Sequence, residues 1–279
     1  GKLADALEAF DSALTILSKH GANNPKTNMV LRSKADVLKK QFKLDEAMEA
    51  CLSAKEAFQR SNEEVEVAIT LSSIGDIHDR QHNYDKALQA YEEALRLKQA
   101  QLGLEHVTCA ITIAGLGNVY RHQHKYKQAS EQYKHAIRIW QASSQERTPD
   151  AAITYTVWGM AEKELNDLDA ALGCYSKALL ILKGTYGPNH PRSAEALAHK
   201  ADVLIAQSKL DAAVKSLDRA LHILMGTYGP DHPRYAEMLA KKAKALVEQG
   251  KLADALKNFN IALTILSKHG RRSTRLSQS

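Results

Sequence analysis

Lys183-Gly184-Thr185-Tyr186-Gly187-Pro188-Asn189-His190-Pro191-Arg192 returns forty-two residues later as Met225-Gly226-Thr227-Tyr228-Gly229-Pro230-Asp231-His232-Pro233-Arg234. A period that long marks a repeat array, which is read one repeat at a time. Each copy is followed by an apolar helical pattern, a short turn and a second helical pattern, headed by Leu-Asp-Ala-Ala at Leu210 and by Leu-Ala-Asp-Ala at Leu252.

Working outward, the second helical patterns start at Leu3, Leu44, Tyr84, Tyr126, Leu168, Leu210 and Leu252, spaced 41, 40, 42, 42, 42 and 42 apart. An alanine follows each anchor by three residues, from Ala6 and Ala47 through Ala255, and another seven residues later, from Ala13 and Ala54 through Ala262. Between the two alanines stands Phe10, Cys51, Tyr91, Tyr133, Tyr175, Leu217 or Phe259. Offsets of three, four and seven put these residues on one helix face. Two small residues per helix require a neighbouring axis to come close, and the bulky residue between them fills the remaining space.

The first helical patterns are complementary: Leu71-x-x-Ile74-Gly75-x-x-His78, Ile113-x-x-Leu116-Gly117-x-x-Tyr120 and Tyr155-x-x-Trp158-Gly159. Glycine inside a helix costs about 1 kcal/mol against alanine, so its return at one repeat position argues for tight contact. Ala35, Ala201 and Ala243 hold that position in the other units. This is the pattern W-x-x-L-G-x-x-Y followed by A, F and A, and nearly the whole chain resembles the tetratricopeptide repeat (TPR) family. The expected fold is all-α: a right-handed α-α superhelix, or TPR solenoid, of about six and a half helix pairs.

The common tetratricopeptide period is about 34 residues, and the additional residues here are placed between one unit and the next. All six prolines lie in those joints, and Pro25, Pro149, Pro191 and Pro233 share one repeat position, held elsewhere by Val65 and Val107. Proline suits the first turn of a helix, where its missing N–H would have no partner, so these residues mark helix starts. The expected boundaries are a lone second helix over 1–24, helix pairs over 25–64, 65–106, 107–148, 149–190, 191–232 and 233–270, and a flexible basic tail over 271–279. The longer period and the Tyr-Gly-Pro-x-His-Pro joints are similar to the arrays of kinesin light chains and nephrocystin-like proteins. Residues 1–21 nearly repeat residues 250–270. The missing first helix at the start and the lack of a polar capping helix at the end suggest a portion of a longer protein.

The net charge of +6 falls to +3 without the last nine residues, which carry Arg271, Arg272 and Arg275 and no acid. Charges of both signs alternate along the remaining helices, as on a solvated face rather than a phosphate track, so nucleic acid is not the expected partner. No apolar run approaches the ~18 residues of a membrane span, and no signal-peptide pattern opens the chain. The three cysteines, Cys51, Cys109 and Cys174, show no paired spacing. The expectation is a reducing, cytoplasmic setting, with cytoskeletal association suggested by the kinesin light chain resemblance.

Twelve histidines call for a search for metal or acid-base chemistry. His78 and His82 stand one turn apart, but spacing fixes no third ligand. His106, His190 and His232 occupy joints, where a turn-stabilising hydrogen bond is the expected role. There is no Gly-x-Ser-x-Gly and no phosphate loop; Gly115-Leu116-Gly117 lies inside a helix. Neither an enzymatic activity nor a metal or cofactor is expected.

Stacked helix pairs place their first helices on a concave face, and the resemblance implies that this groove receives a peptide segment of a partner. Groove candidates are Arg32, Asp36, Lys39, Ser72, Asp76, Arg80, Asn118, Arg121, Thr156 and Lys163, with Met160, Asp202 and Lys244 beside them. The middle of the groove, across Asp76, Arg80, Asn118, Arg121 and Lys163, carries more positive than negative charge, favouring an acidic or acidic-aromatic segment. Kinesin light chains have paired asparagines where this chain has Arg32-Ser33, Ser72-Ser73 and Ala114-Gly115. The implied role is an adaptor or scaffold, cargo-adaptor-like. The alternative is a structural subunit using its ends and convex face, with self-association through uncapped ends, and RNA binding stands third.

Overall fold

The computed structural model describes the backbone of residues 2–18 and 25–276 and the side chains of residues 3–17 and 26–269. Among the described residues every regular element is an α-helix: α1 (Lys2–Ser18), α2 (Pro25–Lys40), α3 (Leu44–Arg60), α4 (Glu64–Arg80), α5 (Tyr84–Leu102), α6 (Val107–His122), α7 (Tyr126–Ala142), α8 (Pro149–Glu164), α9 (Leu168–Tyr186), α10 (Pro191–Ala206), α11 (Leu210–Tyr228), α12 (Pro233–Glu248) and α13 (Leu252–Leu276). The second helices α3, α5, α7, α9, α11 and α13 begin on the anchor residues, and α2, α8, α10 and α12 begin on the four prolines.

The chain divides into two compact units, Gly1–Glu146 with α1 to α7 and Arg147–Ser279 with α8 to α13. Within each unit every first helix packs on its own second helix, and every second helix packs on the next first helix. Successive first helices also touch, α2 with α4, α4 with α6, α8 with α10 and α10 with α12. Among the described residues no two successive second helices do. One face of each unit is therefore built from first helices drawn together.

The alanine and ring positions form the core. Ala47, Ala54, Ala87, Ala94, Ala129, Ala136, Ala171 and Ala178 are fully buried, as are Cys51, Tyr133, Tyr175 and Leu217. The helical glycines are explained by the rings. A Cβ on Gly75 would lie 2.8 Å from Tyr91 Cδ2, one on Gly117 2.6 Å from Tyr133 Cε1, and one on Gly159 2.8 Å from Tyr175 Cε1. Tyr91 is enclosed on a second side, because a Cβ on Gly115 of α6 would lie 2.5 Å from its Cε1.

Turns between paired helices are three residues long and share one left-handed residue: Phe42, His82, His124, Asn166, Ser208 and Gly250 all have φ between 57° and 76°. The backbone N–H of the following residue returns to the helix, as in Lys43 to Leu38 O at 3.1 Å and Asn83 to His78 O at 2.8 Å. This is the hydrogen-bond pattern of a Schellman turn.

Two features differ from the sequence expectation. Part of each joint is helix: Lys183–Tyr186 and Met225–Tyr228 form the last turns of α9 and α11. These segments contain no proline, and the helices stop only where Gly187 and Gly229 take φ of 85° and 81°. The segment expected to be a flexible tail is also helical in its first part, since α13 continues to Leu276. Arginine and leucine propagate a helix well and no proline interrupts. Residues 277–279 and the joint residues 19–24 lie outside the described residues.

Candidate functional site: the first-helix faces

In the first unit, packing the first helices together brings their polar residues into mutual contact. Arg32 of α2 pairs with Glu66 of α4, and its guanidinium lies 5.9 Å from the Phe58 ring centroid. Lys39 is buried, 2.9 Å from Asp36 and 3.3 Å from Asp76, and these carboxylates outweigh burial and raise its pKa. Asp76 also accepts from the Tyr91 hydroxyl. Ser72 turns towards α5 and α6: its Oγ accepts from Lys98 Nζ at 3.1 Å and lies 3.3 Å from Thr112 Oγ1. Asn118 Oδ1 accepts from Tyr133 OH at 2.8 Å. Arg80 is exposed, with its guanidinium 5.7 Å from the Phe42 centroid. Arg121 lies against His122, whose Nδ1 is 2.8 Å from Asp79 Oδ1.

Of the groove candidates of this unit, Lys39, Asp36 and Asp76 are tied to one another, while Arg32, Ser72 and Asn118 are taken up by Glu66, Lys98 and Tyr133. Arg80 is the candidate here with an exposed charge and no carboxylate partner among the described residues.

The second unit holds Thr156 and Lys163. Thr156 Oγ1 donates to Ala152 O at 2.9 Å, and Lys163 lies 3.5 Å from Glu164. A cavity of about 500 Å³ opens on α8, α10 and α12. Thr156, Ile153, Val157 and Met160 line one side, and Arg192, Glu195, Tyr228 and Arg234 line the other. A second cavity of about 250 Å³ shares Pro191, Glu195 and Arg234 with it and reaches Glu237, Met238 and Lys241. Lys241 is paired with Asp202.

The side chains of Arg192 and Arg234 are exposed and make no hydrogen bond or ion pair among the described residues. Both belong to the repeated joint that organises the sequence, but they fall in the first turns of α10 and α12, outside the register used to choose groove positions. Their recurrence at a helix start was the available signal.

The joint histidines do what their position suggested. The Nδ1 atoms of His190 and His232 accept from the backbone N–H groups of Arg192 and Arg234 at 3.3 and 3.2 Å, and His106 accepts from Thr108 N–H at 3.3 Å. Tyr186 stacks on His190 and Tyr228 on His232, with centroids 4.2 and 4.5 Å apart. These stacks fix the two joints, and from them His190 and Tyr228 line the cavity of about 500 Å³. Among the described residues no group of three or more His, Cys, Asp or Glu side chains could hold a metal ion, and no helix is long and apolar enough to cross a membrane.

Comparison with known proteins agrees with this architecture. A profile of the MalT-like TPR region matches residues 54–229, and one of the tetratricopeptide repeat matches residues 194–268. The crystal structure of BtubC (BKLC) from P. vanneervenii superposes with a TM-score of 0.74 at 18% identity, over 81% of this chain and 92% of that one. A kinesin light chain protein with nearly identical TPR-like repeats from Podosopora anserina gives 0.64 at 16% identity, over 72% and 96%. The STAND protein PH0952 from Pyrococcus horikoshii, with a tetratricopeptide repeat sensor, gives 0.72 at 17% identity, over 96% and 41%. These likenesses are likenesses of fold. No curated protein matches the chain by sequence.

Proposed function

This chain belongs to the tetratricopeptide-repeat family through its MalT-like TPR region, and from that membership we propose that it is a non-catalytic adaptor that holds a peptide segment of a partner protein along its first-helix faces. The observation that carries the reading is the pair of adjoining cavities on α8, α10 and α12, where an apolar wall faces two guanidinium groups that have no partner among the described residues. An acidic side chain reaching Arg192 and Arg234 gains charge-assisted hydrogen bonds, while a neighbouring aromatic or aliphatic side chain buries itself against Ile153, Val157 and Met160.

Glu195 and Glu237 stand one helical turn beyond the two arginines. Acid is therefore favoured at one edge only, and this gives the bound segment a direction. Arg80 and Arg121 extend the preference for acid on the first unit. The three cysteines are buried and form no disulfide among the described residues, which suits a reducing cytoplasm, where a cargo-adaptor-like role is at home.

Titration with a panel of short peptides combining Asp or Glu with Phe or Leu tests the reading. Arg192→Ala/Arg234→Ala is expected to weaken binding about tenfold or more, since a hydrogen bond to a charged group contributes roughly 1.5–3 kcal/mol. Rising salt is expected to weaken the wild type. The comparison variants are Arg80→Ala/Arg121→Ala, expected to lose less, and Arg271→Ala/Arg272→Ala, expected to lose nothing. Loss confined to the Arg271/Arg272 variant would overturn the groove reading.

A further inference from the structure

The two cavities of the second unit share Pro191, Glu195 and Arg234, yet they differ in charge. The larger one sets Arg192 and Arg234 against the single carboxylate of Glu195, while His190 is kept neutral by burial and by Arg192. Around the smaller one stand Glu195, Glu237, Arg234, Lys241 and His199. Lys241 is taken up by Asp202. Burial lowers the pKa of His199 and the Lys241 ammonium acts in the same direction, so this imidazole, stacked on Tyr175, is uncharged at neutral pH. What remains there is one guanidinium and two carboxylates. Positive charge is thus in excess in the larger cavity and negative charge in the smaller.

The repeat itself does not call for those carboxylates. At the position of Glu195 and Glu237 the four earlier units carry Met29, Ile69, Ile111 and Ile153, and Ile153 belongs to the apolar wall of the larger cavity. Both glutamates are exposed and make no hydrogen bond or ion pair among the described residues. Each has an arginine three residues before it, but the pairing which that spacing allows on a helix is not made. Glu195 has first helices on both sides, α8 and α12, so its exposure is a property of the face rather than of a missing neighbour.

We infer that the smaller cavity takes a basic side chain of the bound segment, so that the partner is recognised by an acid and a base together. The acid meets Arg192 and Arg234, and the ammonium or guanidinium meets Glu195 and Glu237. This rests on the peptide-binding reading and adds a second determinant to it. Ala198, Leu224 and Met238 line the same cavity and offer an apolar bed for the aliphatic stem of a lysine or arginine. A purely acidic segment is repelled there by the two carboxylates, so selection works by rejection as well as by attraction. Arginines and glutamates stand one helical turn apart, ~5.4 Å along the first helices. At ~3.3 Å per extended residue, the acid and the base of the segment therefore lie about one to three residues from each other.

Fluorescence anisotropy on the full chain with labelled peptides tests this. Each peptide carries one Phe and one Glu in a Gly-Ser background, with Lys one, two or three residues to either side of the Glu, and each has a counterpart with Gln in place of Lys. The chain's net charge of +6 works against an added Lys, so a gain from it requires local carboxylates. At one or more placements Lys is expected to bind about threefold tighter than Gln, the size of a partly exposed ion pair. Glu195→Gln/Glu237→Gln is expected to abolish that preference while binding the Gln counterparts more tightly than the wild type does, because their acid no longer meets Glu195. Circular dichroism checks that the variant is folded. Equal affinity for Lys and Gln at every placement overturns the inference, as does a preference for Lys that survives in the double variant. A further set with Gln in place of the peptide's Glu separates the two levels. If Glu confers no gain over Gln, the acid site and the inference fall together; a gain from Glu with none from Lys removes the second determinant alone.

Discussion

Lys98 of α5 is only 3% exposed, and no carboxylate forms an ion pair with it among the described residues. Its ammonium donates to Thr112 Oγ1 at 2.6 Å and to Ser72 Oγ at 3.1 Å, two neutral acceptors from α6 and α4. Burial lowers its pKa from 10.5 to about 8. At 1.36 kcal/mol per unit, that shift corresponds to a destabilisation of about 3 kcal/mol at neutral pH relative to an unshifted lysine. The sign follows from proton counting: between about pH 8 and 10.5 the native state binds fewer protons than the unfolded chain, so stability from this group rises with pH across that window. Lys98→Met keeps the apolar stem and removes the charge. Ser72 and Thr112 keep each other at 3.3 Å and the carbonyls of Ala68 and Thr108 at 3.1 and 3.5 Å, so neither is left unpaired. The variant is expected to be more stable than the wild type at pH 7 by about 1–3 kcal/mol, a gain that shrinks towards pH 10. Cys51, raised to about 11 by burial, titrates in the opposite sense but is common to both proteins and cancels. Urea unfolding of both proteins at pH 7, 8, 9 and 10, followed by far-ultraviolet circular dichroism, gives the difference directly. A variant less stable at pH 7, or a difference independent of pH, would refute the reasoning.

Three further outcomes can be checked by thermal or urea melts. Tyr133 OH bonds Asn118, but one repeat on Met160 occupies the acceptor position and Tyr175 OH is buried without a partner among the described residues; Tyr133→Phe is therefore expected to cost about 1 kcal/mol, and Tyr175→Phe to be neutral or stabilising. Equal losses for the two would contradict this account. Ala178 is fully buried and Lys177 exposed, so Ala178→Leu is expected to lose about 1–3 kcal/mol through overpacking while Lys177→Leu changes little. Ser208 has φ of 57° with an L side chain, and Ser208→Gly is expected to raise stability by about 1 kcal/mol, as would follow if Gly250 holds the same turn without strain.

What the sequence made legible was periodic. Helix starts fell on anchors such as Leu44 and Pro149 because one residue type recurs at one position, and the alanine, ring and glycine faces followed from helical spacing. The candidate site was legible only as a face. Arg32 and Lys39 look like free groove cations when α2 is read alone, yet each meets an acid on α4, Glu66 and Asp76, more than thirty residues away. Such pairs depend on the phase of one helix against the next, which spacing within a repeat does not encode. Arg192 and Arg234 were hidden for a different reason. The prolines before them mark helix starts, but the groove positions lie further along the first helices, whereas these arginines reach the cavity from the first turns of α10 and α12.

The ring of Tyr91 touches Gly75 of its own pair and Gly115 of the next, so the joints that divide the sequence do not divide the packing. A cassette cut from joint to joint carries away Tyr91 but leaves behind Gly115, which was shaped to receive it. Moved elsewhere, the ring would lose the glycine that fits it, and the abandoned glycine would face a void. For duplication, deletion or grafting of this region, the block that keeps the ring with both glycines runs from α4 through α6, a helix pair and a half rather than one written period.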